Sequence, residues 1–386
     1  MSTPLLKERA GRYEAQPGGY RAFVPTSLPP SPLLVVGSEM QALLSAADRG
    51  IGRLDGAIQT LPDPDFFVLM YGRKEAVLSS QIEGTQSSLD DVLAAEAQIL
   101  DPDRPKDVSE VLNYVAAMRL GLAGLGELPV SVRLLRRIHA RLLEGVRGRE
   151  RAPGEFRRVQ NWIGAEGASI AEATFVPPPS ERVPDAMADL ERFLHAEDDL
   201  PVLVKIGLAH AQFETIHPFL DGNGRLGRLL ITFLLCERGV LKEPVLYLSL
   251  YLKRQRREYY ARLQAIRDEG DWEGWLSFFL EGIRRVAEEA TETSRRVVEL
   301  RERHRSLIVE RFGRVAGGGL KVLESLYSLP VVTVHRVKEI TGVSFQAANT
   351  LVSRFVEHGI LSEFTGHARN RRFRYAAYIG LFAEGD

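Results

Sequence analysis

Apolar residues along most of the chain recur at spacings of three and four, the period of a helix buried on one face. Residues 39–60 place Leu43, Leu44, Ala47 and Ile51 on one side. Residues 65–83 repeat the pattern with Phe67, Met70, Tyr71, Val77, Leu78 and Ile82, and Gly84 follows as a stop signal. The same reading predicts helices over 87–98, 108–122 and 131–143, the last with Leu134, Leu135, Ile138 and Leu142 aligned. Further helices are predicted over 183–195, over 201–216 with Pro201 at its start, and over 223–238 with Gly239 as its stop. Two more cover 251–269 and 272–307, and the second pattern admits a break.

Three regions depart from this period. Residues 1–38 are rich in Pro and Gly, with Gly18-Gly19-Tyr20 and Leu28-Pro29-Pro30, and read as an extended arm packed on the body. Between 148 and 179, Gly, Pro and β-branched residues predict short strands or a hairpin. Gly317-Gly318-Gly319 reads as the least ordered stretch and the best domain boundary. Beyond it, helices at 320–328, 333–341 and 344–358 precede two strands at 360–364 and 372–375.

Length and composition add limits. A chain of 386 residues exceeds one ordinary core and implies two or three folding units. Hydrophobic content of 45% and charged content of 26% are those of a soluble globular protein. A net charge of -1 gives no global attraction to nucleic acid or membrane. The lone Cys236 rules out an intrachain disulfide and reads as a buried structural thiol. Without an apolar run of about 18 residues or an N-terminal hydrophobic segment, a cytoplasmic protein with no membrane contact is expected.

The chemistry concentrates in His217-Pro218-Phe219-Leu220-Asp221-Gly222-Asn223-Gly224-Arg225-Leu226-Gly227-Arg228. An apolar helix precedes this segment and another follows, so it is a tight turn feeding a helix N-terminus. Such a terminus has unpaired N–H groups and a positive dipole end, which favour phosphate. Gly222 and Gly224 let a phosphate approach the backbone. Arg225 and Arg228, three apart, share a helical face and can clamp a polyphosphate. Asp221 beside an anion site points to a bridging divalent cation such as Mg²⁺. His217, with an ordinary pKa of about 6.5, suits deprotonation of a hydroxyl. These parts predict nucleotide-dependent group transfer and leave open which phosphorus is attacked.

The segment resembles the Fic motif H-x-F-x-[DE]-G-N-G-R-x-x-R at every defined position. The arm, the stretch from Arg73 to Thr85 and Gln160-Asn161-Trp162-Ile163-Gly164 are similar to bacterial Fic proteins carrying a C-terminal winged helix. The resemblance implies a mainly α fold: a Fic helical core with a β-hairpin flap, plus a C-terminal winged helix-turn-helix domain. It divides the chain into an arm and helix (1–60), a helical region with an inhibitory helix (61–125), a catalytic domain (126–312) and the winged domain (320–386). It implies transfer of AMP from ATP to a Ser, Thr or Tyr hydroxyl of a target protein. His217 would be the general base and Asp221 the Mg²⁺ ligand. Asn223 and the backbone of Gly222 and Gly224, in the turn that continues through Leu226 and Gly227, would bind the α- and β-phosphates. Arg225 would contact the β-phosphate and Arg228 the γ-phosphate. The related Doc branch, which phosphorylates its target, replaces the motif's glycines, so Gly222 and Gly224 favour AMP transfer. Tyr260 would line the nucleotide pocket, with a core tyrosine as the alternative.

Ser79 and Glu83, four apart, share a helix face. By itself Glu83 reads as a solvated helix-end glutamate. The resemblance offers another role, since Ser79-x-x-x-Glu83-Gly84 matches the inhibitory motif [ST]-x-x-x-E-[GN]. Its glutamate would pair with Arg228, in a contact that can be bidentate, and block the γ-phosphate position. Residues 169–177 fall where the family has its flap, which would dock a target segment by strand addition. In the C-terminal module, Arg369, Arg371, Arg372 and Arg374 near a wing would favour DNA, while Glu339, Glu357 and Glu363 dilute the charge. DNA and protein partners both remain open there. The alternative function is a DNA-binding regulator with the Fic core in a controlling role. A homodimer is expected by analogy.

Overall fold

A computed structural model of the chain describes residues 7–59, 61, 64–96, 105, 107–146, 150–165, 167–366 and 371–383. The fold is mainly helical. The arm carries two short strands, β1 (Gly11–Ala15) and β2 (Arg21–Pro25), paired antiparallel from Gly11↔Pro25 to Ala15↔Arg21. It packs on the body as expected, but it folds back on itself. Gly18 and Gly19 turn at positive φ, and Phe23 is fully buried. Buried Arg9 anchors the arm by donating to the Gly270 carbonyl (2.8 Å) and pairing with Glu273.

The helical body follows in chain order. Its first half contains α1 (Ser38–Gln59), α2 (Pro64–Ile82), α3 (Leu89–Glu96), α4 (Val108–Leu125), α5 (Val132–Leu142) and α6 (Val183–His195). Then come α7 (Val202–Ile216), α8 (Asn223–Glu237), α9 (Ser249–Arg254), α10 (Arg256–Glu269) and α11 (Trp272–Arg311). Every residue of α7 from Leu203 to Ile216 is buried, so this helix is the axis around which the others pack. Helix α8 is nearly as enclosed and lies beside it. Helix α11, about 60 Å long at 1.5 Å per residue, packs against α1 along much of its length.

Three expectations change. The helix break falls at Gln255, between α9 and α10, while α11 runs unbroken, reinforced by Glu281–Arg285 and Arg284–Glu288 pairs. Between 148 and 179 the described residues form an isolated antiparallel bridge, Ile163↔Phe175, in place of a regular hairpin. There Ser169 and Glu172 close a capping box around a short helical turn, and Pro177 to Pro179 lack ladder donors. Glu166 lies outside the described residues. Finally, Gly317 to Gly319 are helical, inside α12 (Ala316–Ser328). A β-carbon on Gly319 would meet Ile308 at 2.9 Å and Phe312 at 3.0 Å, so tight packing on the end of α11 overrides glycine's low helix propensity.

The C-terminal module continues with β3 (Val331–Thr333), α13 (Val334–Thr341), α14 (Phe345–Glu357), β4 (Ser362–Glu363), β5 (Arg372–Arg374) and α15 (Ala376–Ala383). Its strands form an antiparallel sheet in the order β3-β5-β4. Neither β3 nor α15 was expected. Phe382 of α15 meets Phe67 and Tyr71 of α2, with ring centroids 6.1 and 5.6 Å apart, so the module is tied to the body. Of the expected wing arginines, Arg371 donates to Asn349 (2.9 Å) and Arg374 pairs with Asp90 (3.5 Å). Arg369 lies outside the described residues. Cys236 is half-buried, and burial followed by the nearby Glu243 pushes its thiol up to about 12. Among the described residues, no helix is long and apolar enough to cross a membrane.

Candidate active site

Helix α7 ends on His217, whose φ of 48° and ψ of 60° are left-handed, a conformation uncommon for a residue with a β-carbon. The following turn is closed by Asn223. Its side-chain oxygen accepts from the Phe219 N–H (2.9 Å) and its amide donates to the Phe219 carbonyl (2.8 Å). Phe219 stacks on His139 of α5 at 3.8 Å. The Gly154 N–H donates to His139 Nδ1 (2.8 Å), so His139 Nε2 carries the proton and donates to the Asp221 carbonyl (2.9 Å). Gly222, at φ 77°, then starts α8. The turn is thus held from below before any ligand arrives. His139 was missed by sequence reasoning, and no local signal marks it.

The two arginines have different partners. Arg225 is buried and reaches Glu110 of α4 (3.3 Å) and Asp221 (3.5 Å). Arg228 donates from Nε to Ser79 Oγ (2.8 Å) and from Nη2 to both the Ser79 carbonyl (2.9 Å) and Glu83 Oε1 (2.7 Å). The expected contact between Glu83 and Arg228 forms, but through the single nitrogen Nη2, which it shares with the Ser79 carbonyl, while Nε is directed to Ser79 Oγ. Glu83 follows the last turn of α2, with Gly84 at φ 99° turning the chain away. Burial opposes the Glu83 charge, yet the Arg228 guanidinium outweighs it and holds this carboxyl below the usual range.

His217 is pushed down to about 4, first by burial and then by the cations Arg157 and Arg267, so its imidazole is neutral at physiological pH. Its Nδ1 is buried beside the Glu214 carbonyl, with no complete hydrogen bond. Glu214 is buried too, which pushes its carboxyl up to about 7. Glu214, Arg157 and Arg267 escaped sequence reasoning because their partners are remote or their motif is diffuse.

A cavity of about 540 Å³ opens over these groups. It brings together His217, Gly224, Arg228, Glu83 and Tyr260 from the expected set, and adds Glu214, Arg267, Gln264, Trp162 and Phe175. Tyr260 is 39% exposed and lies at the cavity wall rather than in the core. Asp221, Gly222, Asn223 and Arg225 belong to the turn and helix behind the lining. Leu226 is fully buried in the core, and a β-carbon on Gly227 would collide with Glu214 Oε1. Ser79 is buried behind Arg228, and Gly84 sits beyond it. A β-carbon on Gly224 would collide with Glu83 Oε1, so the carboxylate rests directly on the glycine where an anion would approach.

Asp221 is the carboxylate best placed for a cation. It is about one-third exposed, and its Oδ1 accepts from the Gly222 N–H (2.6 Å). No group of three or more His, Cys, Asp or Glu able to hold an ion occurs among the described residues. One carboxylate fits Mg²⁺, which keeps several waters and takes further oxygens from phosphate.

Comparisons with known proteins agree on the region. Sequence profiles described as Fic/DOC family N-terminal and Fic/DOC family match residues 41–123 and 129–235. A protein adenylyltransferase Fic of Drosophila grimshawi is 29% identical over 197 residues, covering 50% of this chain and 36% of the relative. A probable protein adenylyltransferase of Aquifex aeolicus is 43% identical over 72 residues, 19% of this chain and 22% of the relative. The chain therefore spans about a third or less of the length of these curated relatives. Among solved structures, a Fic family protein from Desulfovibrio desulfuricans shares the fold, with a TM-score of 0.57 at 20% identity over 89% of this chain and 97% of that one.

Proposed function

The chain belongs to the Fic/DOC family, and from that premise we propose that it is a protein adenylyltransferase restrained by its own Glu83. The carrying observation is the Arg228 guanidinium, held by Ser79 and Glu83, in the wall of the cavity that His217 also lines. In this reading ATP enters the cavity and its phosphates lie along the start of α8. Unpaired N–H groups of that helix end, Gly224 included, receive the α- and β-phosphates, while the Gly222 N–H, which donates to Asp221 Oδ1, turns to phosphate only by leaving that carboxylate. Because the Asn223 amide closes the Phe219 turn, Asn223 contributes through its backbone. Arg225 meets the β-phosphate and Arg228 the γ-phosphate. Asp221 would hold Mg²⁺, which would supply charge neutralisation to the phosphates. Neutral His217 takes the proton from a target Ser, Thr or Tyr hydroxyl. The hydroxyl oxygen bonds to the α-phosphorus, the bond to the β-phosphate oxygen breaks, and pyrophosphate leaves. Tyr260, Gln264 and Trp162 line the space left for the nucleoside and the acceptor.

Glu83 competes with the γ-phosphate for Arg228, so the resting protein is autoinhibited. The target segment docks along 169–177, where backbone near the Ile163↔Phe175 bridge supports strand addition. The order α12-β3-α13-α14-β4-β5 and the β3-β5-β4 sheet support a winged helix in the C-terminal module, serving a protein or DNA partner. The alternative of a DNA-binding regulator finds no support among the relatives. A cytoplasmic, homodimeric protein completes the reading. The test is self-labelling: label from α-labelled ATP is retained and label from γ-labelled ATP is not, and His217→Ala abolishes it. Retention of the γ-label instead would assign phosphoryl transfer and overturn the reading.

A further inference from the structure

The backbone carbonyls of two chain segments converge on a small set of side-chain donors. One segment is the catalytic turn, 214–219. The other is 175–178, which ends the proposed docking stretch. Arg157 is 2% exposed. Its Nε donates to the His217 carbonyl (2.9 Å), and its Nη2 donates to the carbonyls of Pro178 and Ile216 (3.4 Å for the latter). Its backbone N–H donates to the Pro218 carbonyl (3.0 Å). Gln160 donates to the Pro177 carbonyl (2.9 Å) and Asn161 to the Phe219 carbonyl (2.9 Å). Arg267, from α10, works from the other side. Its guanidinium lies 3.6 Å from the Phe175 ring centre, and it donates to Thr215 Oγ1 (3.3 Å) and the Glu214 carbonyl (3.5 Å).

Such placement has a physical cost and so a reason. Two guanidinium groups are withdrawn from water, and burial pushes both down to about 10. Neither makes a side-chain ion pair among the described contacts. Between them they reach the Glu214, Ile216 and His217 carbonyls at the end of α7, where a helix leaves its last carbonyls unpaired, and their other donors go to the Pro178 carbonyl, the Thr215 hydroxyl and the Gln264 side chain. There the chain also adopts the left-handed His217 conformation, a strained one that persists only where its surroundings enforce it. A planar fork can satisfy several carbonyls at fixed angles, whereas an ammonium cannot.

We propose that Arg157 and Arg267 are positioning residues that lock the catalytic turn and the segment 175–178 into one rigid unit. An acceptor lying on that segment then meets His217 in fixed register. The inference rests on the reading of His217 as base and of 169–177 as docking stretch, but the rigid unit itself is testable without either.

Two measurements test it. Hydrogen exchange by mass spectrometry on Arg157→Ala, Arg157→Lys and Arg267→Gln should show faster exchange in peptides covering 174–178 and 215–219 together. Faster exchange in one segment alone, or in neither, overturns the proposal. In a Glu83→Gly background, the self-labelling rate at saturating ATP should fall roughly 10- to 100-fold, the cost of a misplaced reacting group. KM for ATP should stay within about twofold, and Arg157→Lys should not restore the rate. A folded variant with an unchanged rate, or a loss carried wholly by KM, contradicts the positioning role. If the Glu83→Gly parent does not label at all while the two segments loosen together, the activity reading fails and the rigid unit stands.

Discussion

Replacing Glu83 by glycine removes one carboxylate from a buried guanidinium. The contact is 2.7 Å long, with the Arg228 side chain 1% exposed and that of Glu83 34% exposed. A hydrogen bond to a charged group contributes about 1.5–3 kcal/mol. Solvent reaches Glu83, so screening places this pair toward the lower end. A triphosphate that must displace the carboxylate is therefore handicapped by roughly 10- to 30-fold, at about 1.4 kcal/mol per tenfold. Arg228 is not orphaned in the variant, since Ser79 Oγ and the Ser79 carbonyl still accept from it at 2.8 and 2.9 Å. The substitution follows the last turn of α2, so the helix itself is spared. Glu83→Gly should remain folded and raise kcat/KM for self-labelling with α-labelled ATP by that factor. Glu83→Gln, which keeps the shape without the charge, should fall between. The assay is the initial labelling rate across a range of ATP concentrations. If Glu83→Gly labels no faster than wild type while His217→Ala abolishes labelling, Glu83 is not the restraint.

Other outcomes follow from single contacts. His217 is held near 4 and acts in its neutral form, so labelling by Glu83→Gly should stay level from pH 7 to about 5.5 and fall only as pH drops toward 4. A midpoint near 6.5 would contradict that burial. Gly227→Ala should cost about 1–3 kcal/mol by overpacking, because its β-carbon would strike Glu214 Oε1 and come within 3.2 Å of Phe213; urea unfolding checks it. Phe382→Ala should cost about 3–5 kcal/mol, since the ring is 1% exposed and joins the C-terminal module to α2; an unchanged Tm would show that the two do not fold together.

Elements with a long apolar period were readable before the structure: α6 spans Val183–His195 as expected, and α1, α2, α5, α7 and α8 agree within a residue or two. What was not readable depends on remote partners. Gly317 to Gly319 are helical, and at Gly319 Ile308 and Phe312 leave no room for a side chain, whereas a β-carbon on Gly317 would meet nothing within 4 Å. Strand β3 is three residues long and exists through its register with β5, about forty positions away. The site divides in the same way. His217 to Arg228 is contiguous, so its chemistry shows in twelve letters. Ser79 and Glu83 were found through a resemblance, since a helix-end glutamate carries no mark of its partner 145 positions on. Glu110 facing Arg225, His139 under Phe219, and Arg157 on the His217 carbonyl are products of packing, and periodicity does not encode them.

The proposed AMP transfer depends on a site whose Arg228 is shared between Glu83 and ATP. Its most direct measurement is the intact mass of the Glu83→Gly protein after incubation with ATP and Mg²⁺, with Glu83→Gly/His217→Ala alongside. A gain of one or more AMP units is expected in the first protein and none in the second. A gain of phosphate, or an equal gain in both, would contradict it.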